Sequence, residues 1–174
     1  MRPAQQGAFD GLCGVYAIIN SLDLVGLKQP RSILHRQLFL ELTHGLGAAA
    51  LLRAMHIGLD GDDLIRGAEV AFRWLAQELE VHLVIAQPFA QTDHDSMDVF
   101  VGDVRKYANE RDTAVIVQAR INGDWHWTVT KAVTRTQMRL RDSRGRKELD
   151  IKSFGLSSGS NSFDPAETLV ISRK

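Results

Sequence analysis

The sequence predicts an α+β fold with a helical first half and a strand-rich second half. Two observations carry this. Up to about Leu79, apolar residues recur at the i, i+3, i+4, i+7 spacing of amphipathic helices. From Thr113 onward they gather instead into short runs rich in β-branched residues, separated by short polar turns. Helices first and strands later is the α+β order. Consecutive strands joined by short turns make a mainly antiparallel sheet.

A loop from Gln5 to Leu12, carrying Gly7 and Gly11, leads into a helix over Cys13 to Leu22. Its apolar stripe is Val15, Ile18, Ile19 and Leu22, and Gly26 and Pro30 close it. A second helix fits Ser32, as N-cap, to Thr43, with Ile33, Leu34, Leu38 and Leu42 on one face. The Ala/Leu-rich stretch Gly45 to Gly58 holds a further short helix, and Asp62 to Leu79 a longer one with Leu64, Ile65, Ala68, Phe72, Leu75 and Leu79 inward. Val81 to Ile85 has strand length, and Ser96 to Asn109 returns to helical spacing. Strands follow at Thr113–Ala119, His126–Val133, Gln137–Asp142, Lys147–Ile151 and Thr168–Ser172, with a Ser/Gly loop from Ser157 to Ser162.

The 174 residues suit one domain, taken as 1–174, and 44% apolar content supports a sizeable core. Lys and Arg number 21 and so do Asp and Glu, for a formal net charge of zero. That balance argues against a nucleic-acid partner or an anionic membrane surface. No stretch approaches the roughly 18 apolar residues of a membrane span. The polar start, Met1 to Gln6, lacks the apolar core of a secretion signal, so the expected location is cytoplasmic. The only cysteine, Cys13, excludes an internal disulfide and a cysteine-based zinc cluster.

Cys13 stands at the start of the first helix, where unpaired backbone N–H groups and the helix dipole favour negative charge. A thiol in such a place tends toward the thiolate, which is the nucleophile. Gly11 and Gly14 flank it and would let a substrate approach. The far half supplies partners. Folded as a hairpin about the polar turn near Thr134–Thr136, the strands in an unbulged register set His126 opposite residues near 142 to 144. His126 and Asp142 share parity and so share a face. A carboxylate beside an imidazole fixes its tautomer and favours the imidazolium, and an imidazolium beside a thiol favours the thiolate. Cys13, His126 and Asp142 thus form a nucleophile, base and orienter in chain order. Trp125 and Trp127 flank His126 on the other strand face, where one of them could line a substrate groove.

Gln6, then Asp10-Gly11-Leu12-Cys13-Gly14, then His126-Trp127, then Asp142-Ser143, resembles the papain-like cysteine peptidase superfamily, above all its bacteriocin-leader-processing peptidases. The resemblance runs the length of the chain. It implies a papain-like α+β fold, a Cys13 nucleophile, a His126 general base and acid, and Asp142 as orienter. It also implies a glutamine, Gln6 or its neighbour Gln5, whose side-chain amide joins the Cys13 N–H in an oxyanion hole. Gln6 lies at the long end of the family's spacing, and Leu12 stands where leader peptidases often have aspartate; Asp10 could instead cap the helix. The Cys13 helix with Asn20, and His126-Trp127-Thr128-Val129, are also similar to the Josephin deubiquitinases. The implied reaction is hydrolysis of a peptide or isopeptide bond, on a leader-peptide or ubiquitin-like tail, without a cofactor or metal. Two rivals share the motifs: a thiol-dependent acyltransferase or transglutaminase-like enzyme, and a non-catalytic binding module. Nothing in the sequence specifies an oligomeric state.

Other signals are set aside. Gly45-Leu46-Gly47-Ala48-Ala49-Ala50 matches a dinucleotide fingerprint but follows a helix instead of a strand. Thr92-Asp93-His94-Asp95 reads as a polar loop ahead of a helix. The basic run Arg139, Arg141, Arg144, Arg146 and Lys147 reads as a solvated strand face and turn, with contact to an acidic substrate segment as the minor alternative.

Overall fold

The computed structural model describes residues 11–27 and 31–174. Four helices and an antiparallel sheet make a mixed α+β structure. The helices are α1 (Cys13–Ser21), α2 (Arg31–Ala54), α3 (Gly61–Leu79) and α4 (Met97–Ala108). The strands are β1 (Leu83–Ala86), β2 (Thr113–Ile121), β3 (Asp124–Val133), β4 (Gln137–Arg141), β5 (Glu148–Asp150), β6 (Gly155–Leu156) and β7 (Ser162–Arg173). The sheet runs β1-β7-β2-β3-β4-β5, with β6 added in parallel on β7. Every other pairing is antiparallel.

The sheet is buried on both faces, which explains why β2 opens as an unbroken buried run, Thr113 to Val117. Ala114 and Ile116 pack with Trp127, Val129, Leu169 and Ile171 against α1, α2 and α3. Val115, Val117 and Ala119 face the other way, with Phe163 and Met138, against α4 and Phe89. The strand period of two thus serves two cores.

Most element boundaries fall within two or three residues of those expected from periodicity. Three do not. The helix expected to end at Thr43 continues through the Ala/Leu-rich stretch to Ala54. It bends at Gly47, whose φ of 74° is open to glycine and costly for other residues. α2 also begins at Arg31, so Ser32 falls inside its first turn. β7 starts six residues before Thr168, because its polar first part, Ser162 to Asp164, pairs with Gln118 to Arg120 of β2. Between those ladders the register jumps, and Pro165 to Glu167 leave the pairing. A strand proline is tolerated at such an irregularity. Glu167 there accepts the Gly61 N–H at the start of α3, at 2.6 Å, where a helix N-terminus favours an anion.

α3 and α4 are capped by Asp60 and Ser96, each accepting the N–H three residues on. α1 is different: its N-cap is Leu12, which offers no side-chain acceptor.

Candidate active site

β3 and β4 are joined by a two-residue turn, with Thr134 N–H donating to the Gln137 carbonyl at 2.8 Å. Next to this turn, even-numbered residues of β3 stand opposite odd-numbered residues of β4, as in Ala132↔Arg139. That register would put Asp142 on the face opposite His126. Lys131 has no partner, and beyond it even stands opposite even, as in Thr130↔Leu140. The unbulged hairpin expected from sequence is therefore corrected: a one-residue β-bulge at Lys131 brings the two side chains to one face. The ladder ends at Val129↔Arg141.

His126 and Asp142 are 2% and 1% exposed, and His126 Nε2 lies 2.5 Å from Asp142 Oδ1. The second carboxylate oxygen, Oδ2, accepts the backbone N–H groups of Arg144 and Arg146, each at 3.0 Å. Asp142 closes its own turn in this way, a habit of Asp at turn starts. Burial alone would raise the Asp142 carboxyl. The hydrogen bond and charge of His126, with the Arg146 N–H and the Thr128 hydroxyl, outweigh it and hold the carboxyl below its usual value. Burial alone would likewise lower His126. Its hydrogen bond to Asp142, the neighbouring Cys13 and the charges of both outweigh burial and raise the imidazole to about 9.

Cys13 comes to this pair from α1. It is 5% exposed, and its Sγ accepts the backbone N–H of Trp127 at 3.5 Å. Because β4 stops at Arg141, no strand continues beside Trp127 on that edge, and the first turn of α1 takes the place. With Nε2 on the carboxylate, Nδ1 is the ring nitrogen left for the sulfur. It is buried and makes no hydrogen bond of normal geometry among the described residues. α1 is held in position by Gly14, where a Cβ would come within 2.6 Å of both Leu64 methyls. At its far end Asp23 pairs with Arg141 at 2.5 Å.

Cys13, His126 and Asp142 are thus brought together as expected. Gln5, Gln6 and Asp10 lie outside the described residues. Gly11 has a packing reason for being glycine: a Cβ there would strike the Ala54 carbonyl at the end of α2. The two tryptophans divide. Trp127, expected as a groove candidate, is 2% exposed and in the core, its indole N–H donating to Leu59 O at 2.8 Å. That assignment is corrected: indole burial with its one donor satisfied is a packing role. Trp125 is 40% exposed, with the Arg120 guanidinium 5.9 Å from its ring centroid. It lines a groove with Ile57, Leu59, Asp60, Asp164 and Glu167. A second hollow opens on the other side of β3, walled by His126, Asp142, Asn122, Asp124, Arg144 and Arg146.

Sequence reasoning missed the Arg144 and Arg146 amides that clamp Asp142. Their signal was present in Asp142-Ser143-Arg144-Gly145-Arg146, which has the Asp-then-Gly pattern of a tight turn. Gly145 adopts φ 82° there. No helix among the described residues is long and apolar enough to cross a membrane. Neither the protein-family models nor the curated proteins contain a match to the chain.

Proposed function

We propose that the protein is a cysteine peptidase of papain-like type that hydrolyses peptide or isopeptide bonds through Cys13, His126 and Asp142. One observation carries the reading: a buried imidazole bonded to a carboxylate on one side, with the chain's only thiol on the other. A structural cysteine needs no such partner, and a buried His–Asp pair is costly to maintain without a role.

In this reading Asp142 keeps Nε2 protonated and leaves Nδ1 to exchange a proton with Cys13. The thiolate attacks the carbonyl carbon, and the α1 N-terminus, without a side-chain cap, faces the oxyanion that forms. The imidazolium then gives its Nδ1 proton to the leaving amine, producing a thioester on Cys13. Water, deprotonated by the neutral imidazole, attacks the thioester carbonyl and releases the acid, while His126 returns the proton to sulfur.

The test is the rate of Cys13 alkylation by iodoacetamide against pH, in the wild type and in His126→Ala. The expected result is a rate at pH 6–7 well above that of an ordinary thiol, lost in the variant. Equal, ordinary profiles in both proteins would refute the reading. A quenched-fluorescent peptide library, with Cys13→Ala as the blank, then reports cleavage directly.

A further inference from the structure

The hollow beside His126 has a volume of about 430 Å³, within the range of small-ligand sites. One of its walls is His126 itself, a nearly fully buried polar side chain whose Nδ1 has no hydrogen bond of normal geometry among the described residues. If His126 is the general acid, it must reach the leaving nitrogen. Whatever follows that nitrogen then enters this hollow, on the far side of the imidazole from Cys13.

The wall has a charge. Arg144 and Arg146 line it with Asp124 and Asp142. Asp142 is already committed to His126 and to two backbone amides. Among the described residues neither guanidinium is paired with a carboxylate. Two arginines therefore face a single uncommitted acid, and a positive surplus remains. The Asp142 turn that fixes the two backbones also fixes where these side chains begin. The groove on the opposite face of β3 carries the other sign, with Asp60, Asp164 and Glu167 against Arg53. A carboxylate is attracted to one side of the strand and repelled from the other.

We infer that the hollow is the leaving-group subsite and that Arg144 and Arg146 select a carboxylate there, from an acidic side chain just after the scissile bond or from a chain end. This rests on the peptidase reading above and adds its substrate class and polarity.

The experiment needs no known substrate. Leaving-side mimics should occupy the hollow and slow iodoacetamide alkylation of Cys13. The probes are Gly-Glu-amide, with a side-chain carboxylate, Gly-Gln with a free C-terminus, with only a terminal one, and Gly-Gln-amide, with none. They are compared at pH 8.5, above the usual α-amino pKa of about 8, each protein normalised to its own unprotected rate. At least one carboxylate probe is expected to protect at about tenfold lower concentration than Gly-Gln-amide, as charge-assisted contacts to two partly exposed arginines allow. Which one does so identifies the source. The advantage should vanish in Arg144→Gln/Arg146→Gln and persist in part in Arg144→Lys/Arg146→Lys, and thermal melts of both variants report folding. Equal protection by all three probes, no protection, or an advantage that survives the glutamine pair would overturn the inference. The unprotected wild-type and His126→Ala rates judge the peptidase reading separately, so the two failures are distinguishable.

Discussion

Asp142→Asn is the most informative substitution, because the surroundings dictate how the amide must sit. Oδ2 accepts two backbone N–H groups at 3.0 Å each. An NH₂ group placed there would meet two donors. The amide oxygen therefore takes that position, and the NH₂ faces His126. An NH₂ can only donate, so Nε2 must become the acceptor and the ring proton moves to Nδ1. His126 then presents a proton to the sulfur instead of a lone pair, the wrong tautomer for a base.

The magnitude follows from what holds the imidazole at about 9. Burial pulls it down, and with the carboxylate gone only Cys13 remains to raise it. A value at or below the ordinary 6.5 is expected. At pH 7.5 the protonated fraction falls from about 97% to about 9% or less. The difference between 6.5 and about 9 corresponds to about 3 kcal/mol of folding stability. A histidine raised on folding contributes fully below 6.5 and loses that contribution as pH rises through about 9. Asp142, lowered on folding, contributes above its ordinary value near 3.8 and loses that contribution at lower pH. The wild type should therefore exceed Asp142→Asn in Tm by about 6–12 °C between about pH 4 and 6.5, with the gap closing toward pH 9. The assays are an NMR titration of the His126 ring and thermal melts across pH, with iodoacetamide rates expected to fall about 10²-fold or more near neutrality. A His126 titration unmoved by the substitution, or a Tm gap that does not vary with pH, would refute the reasoning.

Three further outcomes test the framework around the triad. Trp127→Phe keeps the backbone N–H on Cys13 but removes the indole donor from Leu59 O; an unsatisfied buried carbonyl costs about 1–3 kcal/mol, to be read from urea unfolding, and no loss would mean that water replaces the indole. Gly14→Ala forces a methyl against Leu64 and should cost about 1–3 kcal/mol, a loss that Gly14→Ala/Leu64→Val should partly recover. Glu167→Gln probes the opposite sign of linkage: burial, aided by Asp164, Asp60 and Asp62, raises this carboxyl against the pull of the Gly61 N–H, so the wild type loses stability as pH rises through its titration, and the glutamine variant should lack that decline.

The nucleophile, base and orienter were legible because each is tied to something a sequence displays: a helix start, a strand parity, a turn. What was hidden shows why that legibility is partial. The Lys131 bulge leaves no mark, since Lys131 is exposed and Thr130 and Ala132 suit a strand equally well. The expected hairpin reached the right face from the wrong centre, and two one-residue errors cancelled. The fusion of α2 across Gly47 was hidden because glycine normally ends a helix, whereas here packing on α3 carries the helix past it. The first part of β7 was hidden because its residues are polar, and its pairing to β2 is a long-range fact. Nor could the alternation of Trp125 and Trp127 say which one lies under Leu59.

One structural event links these pieces. Had β4 continued past Arg141, its backbone would have taken the Trp127 N–H, and Asp142 would have remained a ladder residue beside Thr128. Because it stops, the N–H is left for the Cys13 sulfur, and the chain turns back so that Asp142 can hold two of its own amides. The same turn throws Arg144 and Arg146 to the rim of the hollow. The Asp23–Arg141 pair ties the end of α1 to the last residue of the strand, so the helix that carries the thiol and the strand that delivers the carboxylate are fixed to each other at the point where the sheet ends. The site is thus built from backbone groups that the sheet leaves unused, and every backbone donor given above to the sulfur or the carboxylate is one that a longer β4 would have consumed.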